Sequence, residues 1–209
     1  MEEKKIHQQN LSIQTVVGGP VDVNTYVIGL EGSDACVLID PGAEVARVAK
    51  AVGSRHVEAV LLTHAHFDHM MYAEHWLKLG AKLYVHQLDA PALKEPSLNL
   101  SGMIRAELRL PDADIQVIEG DIVREAGIEL TVLHTPGHTP GSVCYLYTGT
   151  LFSGDTLFYG SYGRVDFPGG SMRQMRDSLN RLYHLDDQVV AYPGHGAKTK
   201  IVWERGMSL

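Results

Sequence analysis

The chain has 209 residues, which at roughly 150 residues per domain fits a single domain spanning 1–209. A chain of this length buries about 70% of its unfolded surface and needs no disulfide staples. Its formal net charge of -7, with Lys and Arg scattered, argues against a nucleic-acid surface. Met1 to Asn10 is polar and lacks the apolar core of a signal peptide, and no apolar run approaches the ~18 residues of a membrane span. The expected address is cytoplasmic, with a small molecule rather than a nucleic acid or membrane as partner. Cys36 and Cys144 each lie in an apolar, strand-like segment and read as buried thiols.

Ile13 to Val17, Thr25 to Ile28 and Ala35 to Ile39 read as short strands, separated by Gly18-Gly19-Pro20 and Glu31-Gly32-Ser33-Asp34. The third ends in Asp40-Pro41-Gly42, a carboxylate just before a forced stop. Val45, Val48, Ala49 and Val52 recur at helical spacing, predicting an amphipathic helix over 43–52 that ends at Gly53. The apolar run Ala59-Val60-Leu61-Leu62 predicts a buried strand. It leads directly into Thr63-His64-Ala65-His66-Phe67-Asp68-His69, where four of seven residues are metal-ligand types. Met71 to Leu79 is expected as a helix and Lys82 to Val85 as a strand. Gln87 to Pro111 has no sustained period and reads as short helical pieces in a surface loop. Strands are expected at Ile115 to Val117, Ile128 to His134, Val143 to Tyr147, Leu151 to Ser153 and Val189 to Ala191. The last long helix begins at Ser171, whose spacing to Gln174 matches a capping box; Met172, Met175, Leu179, Leu182 and Tyr183 form its apolar face. A short helix closes the chain. Two similar halves of strands with interspersed helices predict two packed sheets with helices outside.

Three further stretches look built to deliver a ligand. Thr135-Pro136-Gly137-His138-Thr139-Pro140-Gly141 fixes an imidazole between two turns, Ser153-Gly154-Asp155-Thr156 ends a strand in a carboxylate, and Tyr192-Pro193-Gly194-His195-Gly196 repeats the Pro-Gly-His device. Seven candidate ligands result: His64, His66, Asp68, His69, His138, Asp155 and His195. A catalytic zinc uses about three protein ligands plus a water, so seven suit two metals sharing a carboxylate and a hydroxide. His7, His56, His75, His86, His134 and His184 match no ligand position and read as structural or solvated.

The T-H-x-H-x-D-H run and the later ligand loops resemble the hydrolytic branch of the metallo-β-lactamase superfamily, from about Gln14 to His195. The resemblance implies a four-layer αββα sandwich of the α/β (α+β) class. It also implies that His64, His66 and His138 hold one divalent metal, that Asp68, His69 and His195 hold a second, and that Asp155 bridges them. Zinc is the expected ion, with iron or manganese also suited. Asp40 matches the family's aspartate that orients the ligand loop.

Gly160 to Ser171 is similar to the G-R-x-D-x-P-G-G-S stretch of glyoxalase II-like proteins, specifically the short hydroxyacylglutathione hydrolases that lack a C-terminal helical domain. Met70-Met71 departs from the small residues common after the signature. The implied reaction is thioester hydrolysis by a metal-bridging hydroxide, with Asp68 and Asp155 as catalytic carboxylates and a 2-hydroxyacylglutathione such as S-lactoylglutathione as substrate. A thiolate with a parent pKa near 8.5 leaves without a dedicated acid. Arg164, Tyr159 and Tyr162 are candidate substrate contacts, the first also a natural ion-pair partner for Asp166. The rival readings are a persulfide dioxygenase with one iron, against which the Pro168-Gly169-Gly170 run argues, and a non-catalytic metal-binding sensor.

Overall fold

A computed structural model describes residues 10–206. Three antiparallel strands open the chain: β1 (Leu11–Gly18), β2 (Val23–Leu30) and β3 (Ala35–Ile39). After helix α1 (Val45–Val52), β4 (His56–Leu61), β5 (Lys82–His86) and β6 (Ile115–Val117) add in parallel, completing a six-stranded sheet in sequence order. The second sheet has the order β12-β11-β10-β9-β8-β7. Its strands are β7 (Ile122–Glu125), β8 (Ile128–His134), β9 (Val143–Tyr147), β10 (Thr150–Gly154), β11 (Val190–Pro193) and β12 (Thr199–Lys200). Only β10 and β11 pair in parallel in this sheet.

Successive strand residues face opposite sides, so each sheet splits its apolar residues between two layers. Tyr26, Ile28, Val37, Ile39 and Leu61 meet Ile128, Leu130, Val132, Tyr145 and Phe152 in the core between the sheets. The alternate residues Val27, Leu38 and Val60 face outward onto α1 and onto Ala73 and Trp76 of α3 (Ala73–Lys78). On the far side, Cys144, Leu151 and Ala191 pack against α4 (Met172–Leu182) and Ile201 of α5 (Ile201–Glu204). The layer order is therefore αββα. In α4 the buried residues Met175, Leu179 and Leu182 stabilise by about 1.5–3 kcal/mol each. Met172, expected with them, is only half-buried and stands outside that cluster. Ser171 caps α4, its hydroxyl accepting the Gln174 N–H at 3.4 Å.

The expected helix over Met71 to Leu79 is instead two short ones. α2 (Phe67–Met70) starts inside the ligand stretch, and α3 follows after a break at Met71 and Tyr72. Met70 is fully buried in the outer core, so the bulk after the signature fills a packing position. The strand expected from Ala59 starts earlier, at His56, and β7 and β12 lie where no strand was expected. Between Gln87 and Pro111 the chain makes two 3-10 turns, Ala90–Leu93 and Ser101–Ile104. Both cysteines are free and buried. His56, His75 and His184 are exposed, whereas His86 is buried and stacks on His134 with ring centroids 4.1 Å apart; His7 lies outside the described residues. Among the described residues no helix is long and apolar enough to cross a membrane.

Candidate metal centre

Five strands end at one edge of the sandwich, and each is followed by part of the site. Asp40 follows β3, the His64 to His69 stretch follows β4, His138 follows β8, Asp155 follows β10 and His195 follows β11. Cross-sheet hydrogen bonds fix these loops to one another. The Asn24 backbone N–H donates to Gly194 O at 2.7 Å, and the Asn24 side chain donates to Pro193 O and Gly196 O at 2.9 Å each. The Tyr26 hydroxyl donates to Pro193 O at 2.6 Å, so β2 of one sheet holds the His195 loop of the other. Similarly, Val143 N–H donates to Thr63 O at 2.8 Å and the Tyr145 hydroxyl to Leu62 O at 3.0 Å.

All seven sequence-predicted ligands meet at this edge. The ligand atoms of His64, His66 and His138 lie within 4.8 Å of one another, as do those of Asp68, His69 and His195. Asp155 sits between the two groups: Oδ1 is 3.4 Å from His69 Nε2, and Oδ2 is 3.5 Å from His138 Nε2. His195 Nε2 lies 3.2 Å from Asp68 Oδ2. These separations are close to the roughly 3.4 Å edge of a tetrahedron whose ligands stand about 2.1 Å from a metal.

Hydrogen-bond roles decide what the converging atoms can do. His138 Nδ1–H donates to Arg164 O at 2.6 Å, so its Nε2 carries a lone pair. Thr63 Oγ1 donates to Asp40 Oδ2 at 2.7 Å and can only accept from His64 Nδ1, 3.2 Å away, leaving His64 Nε2 bare as well. Both bare nitrogens face His66 Nδ1, at 2.9 and 3.1 Å. Three imidazole nitrogens crowded this way share at most the one proton of His66, which leaves a lone pair unsatisfied, and a cation would satisfy all three. Likewise His69 Nδ1–H donates to Asp40 Oδ2 at 2.8 Å, while its buried Nε2 and the Oδ1 of Asp155 have no hydrogen-bond partner. The residues present fit two metal ions.

The electrostatics divide the site in the same way. Burial first, then the neighbouring imidazoles, hold His64 well below its ordinary pKa; burial and His138 bring His66 down to about 3. His64 and His66 therefore stay neutral and offer lone pairs. Burial also opposes charge on His69, but Asp68, Asp40 and Asp155 outweigh it and hold this imidazole well above its ordinary value. Asp155, despite burial, is held well below the carboxylate range by His69 and His138. The carboxylate half thus calls for positive charge.

Two glycines make the approach possible. A Cβ on Gly42 would stand 1.6 Å from the carbonyl oxygen of Asp68, and one on Gly194 would stand 2.2 Å from Asp155 Oδ1 and 2.6 Å from His69 Cε1.

The site opens into a cavity of about 530 Å³ whose walls include Phe67, Leu100, Met103, Ile104, Tyr162 and Phe167. Tyr162 thus lies at the cavity, whereas Tyr159 is 63% exposed and stands apart beside Trp203. Arg164 is at the cavity too, but its guanidinium is bound by both Asp166 oxygens at 2.9 and 2.7 Å and lies over the Phe167 ring at 4.3 Å. Its carbonyl, through His138, is what touches the metal-binding residues.

Asp89 is a site residue that the sequence reading missed. Fully enclosed, it accepts from Ala65 N–H at 3.0 Å, Thr139 Oγ1–H at 2.8 Å and Gly141 N–H at 2.7 Å, tying the His64–His66 stretch to the His138 loop. Its signal was present: like Asp40 and Asp155, it is a carboxylate just beyond a strand end.

A family model described as "Metallo-beta-lactamase superfamily" matches residues 18–195. The chain is 37% identical over 195 residues to a "Probable metallo-hydrolase YqgX" of Bacillus subtilis, covering 90% of this chain and 91% of that protein. It is 31% identical over 178 residues to "Hydroxyacylglutathione hydrolase GloC" of Haemophilus influenzae, covering 80% and 83%. Among solved structures it superposes on BLEG-1, a B3 metallo-beta-lactamase, with a TM-score of 0.87 at 31% identity, covering 92% of this chain and 96% of that one. It also superposes on TTHA1623 in a di-iron-bound form, with a TM-score of 0.77 at 34% identity, covering 93% and 98%. With the matching ligand geometry, these likenesses make the chain a member of the metallo-beta-lactamase superfamily.

Proposed function

We propose that the protein is a binuclear metal-dependent hydrolase that cleaves thioesters, with 2-hydroxyacylglutathiones such as S-lactoylglutathione among its substrates. The observation that carries this reading is the Asp155 carboxylate, which reaches both three-residue ligand groups, Oδ1 lying 3.4 Å from His69 Nε2 and Oδ2 lying 3.5 Å from His138 Nε2 and 3.8 Å from His195 Nε2. A pair of divalent cations bound there, zinc being the expected choice for imidazole and carboxylate donors, would supply Lewis acidity and a water deprotonated near neutral pH. TTHA1623, solved in a di-iron-bound form, supports a two-metal reading and keeps iron as the alternative ion.

The chain's own residues position and shield. Phe67 and Phe167 line the cavity beside the ligands, where their apolar rings would limit water around a bound substrate. Asp68, kept ionised against burial by His69 and His195, points Oδ2 at His195 Nε2 and His69 Nε2, 3.2 and 3.5 Å away, and would hold the second ion together with them. Among the described residues lining the cavity, no acid other than Tyr162 is free of the ligand set or of an ion pair. A thiolate needs no such acid to leave, whereas an amide nitrogen does. The likeness to a hydroxyacylglutathione hydrolase agrees with this preference.

The test compares three assays on metal-loaded protein: thiol release from S-lactoylglutathione, oxygen uptake with glutathione persulfide, and opening of a chromogenic β-lactam. Thiol release should dominate. Oxygen uptake exceeding thioester cleavage would move the protein to the dioxygenase class. No turnover in any of the three with both metals bound would favour a sensor.

A further inference from the structure

The cavity wall is far more apolar than the glutathione half of the proposed substrate. Phe167 stands beside one ligand group, its ring centroid 5.7 Å from that of His66 and 6.3 Å from that of His138. Leu100, Met103 and Ile104 continue this surface, with Met103 70% and Ile104 43% exposed. Glutathione carries two carboxylates and an ammonium. Among the described residues lining the cavity the sole Lys or Arg is Arg164, and its guanidinium is already committed to Asp166 and Phe167. Charged groups laid against this wall would lose water without gaining partners.

The wall is also held in place. Ser101–Ile104, the 3-10 turn that carries Met103 and Ile104, is bracketed by two non-glycine residues in the left-handed region, Leu100 at φ 64° and Arg105 at φ 56°. Such residues cost about 1–2 kcal/mol each and persist where the surroundings impose them. Asn99, fully buried, imposes them: its Nδ2 donates to Ala92 O and Leu108 O at 2.9 Å each, and its Oδ1 accepts from Ser101 N–H at 3.0 Å. Its carbonyl accepts the Phe67 N–H at 2.8 Å, which sets the turn in register with the helix bearing Asp68 and His69.

We propose that the surface formed by Phe67, Leu100, Met103, Ile104 and Phe167 binds the acyl half of the substrate, and that the protein selects 2-hydroxyacyl thioesters with an apolar side chain larger than the methyl of lactate. This inference rests on the thioester reading above. With the reacting carbonyl at the ligand groups, one half of the substrate lies on the apolar wall and the other leaves by the open mouth. Desolvation assigns the wall to the acyl side chain and the mouth to the charged tripeptide.

The experiment is a series of glutathione thioesters of glycolate, lactate, 2-hydroxybutanoate and 2-hydroxyhexanoate, with kcat/KM read from thiol release by the metal-loaded protein. Each methylene taken up should raise kcat/KM about fourfold, giving about 60-fold between the lactoyl and 2-hydroxyhexanoyl esters. The double variant Met103→Ser, Ile104→Ser, both at exposed positions, should lose most of that dependence. A flat or falling series with lactoyl turnover intact would overturn the inference and leave the hydrolase reading standing, as would a full chain-length dependence in the double variant. If no thioester is cleaved, the hydrolase reading fails and calorimetry with the free 2-hydroxyalkanoates judges the wall. Dissociation constants falling about fourfold per methylene would uphold the apolar acyl site, and equal ones would overturn it.

Discussion

His69 donates its Nδ1 hydrogen to Oδ2 of Asp40 at 2.8 Å, on a carboxylate that also takes the Thr63 backbone N–H at 2.8 Å and the Thr63 hydroxyl at 2.7 Å. One buried side chain therefore aims the His69 imidazole and fixes the start of the loop carrying the other candidate ligands. Removing such an outer partner of a metal ligand typically lowers metal affinity by about 10–100-fold. Asp40→Ala should do so here, as read by competition with a chromogenic chelator. An unchanged affinity would mean that packing alone orients His69.

Asp155 and His69 leave no room at residue 194. The methyl of Gly194→Ala must push against Asp155 Oδ1, 2.2 Å from its ideal position, and His69 Cε1, 2.6 Å away. Metal bound per chain should fall toward one equivalent as the shared carboxylate is displaced. Gly149→Ala is the control, since its Cβ would meet nothing within 4 Å and should change stability by less than about 0.5 kcal/mol. A Gly194→Ala protein that still binds two equivalents would show the carboxylate free to shift.

Asp89 should matter for folding as much as for the site. Asp89→Ala strands three donors, those of Ala65, Thr139 and Gly141, at about 1–3 kcal/mol for each that water cannot reach. A loss of about 3 kcal/mol lowers the melting temperature of a chain this size by roughly 6–12 °C. A thermal melt within 2 °C of the parent would refute the tie.

How much of this was readable in advance follows from how local each feature is. The seven metal-binding candidates stand in short stretches whose residue types announce themselves, so the sequence located them and the fold brings them together at one edge. Asp89 and Asn99 act through partners up to 52 residues away, in a segment without periodicity, and the one local sign, the place of Asp89 just beyond a strand end, does not reveal what it holds. β7 was missed because Ile122 is exposed and Glu125, a poor strand former, faces inward to take the Tyr84 hydroxyl and the Lys82 ammonium. The break between α2 and α3 arises because the ligand stretch must itself turn helical at Phe67 to aim Asp68 and His69, which a hydrophobic pattern beginning at Met71 does not reveal.

His86 supplies a pH prediction away from the metals. Burial, and then the stacked His134, bring its pKa from 6.5 down to about 4. The folded state therefore binds fewer protons than the unfolded one between these values. Its contribution is fully present above about pH 6.5 and is lost as pH falls toward 4, by at most about 3 kcal/mol. Urea melts of metal-free protein at pH 7, 5.5 and 4 should show this decline, and His86→Phe, which keeps the ring stack and cannot titrate, should lessen it. Parallel acid limbs in the two proteins would assign the decline to other groups.

The central claim, two ions joined through Asp155 and jointly required for thioester cleavage, is tested most directly by stoichiometric reconstitution. Metal-free protein is titrated with zinc while thiol release from S-lactoylglutathione is followed. Activity should rise to a break at two equivalents per chain, with Asp155→Ala remaining inactive throughout. Full activity at one equivalent, or undiminished turnover in Asp155→Ala, would contradict the account.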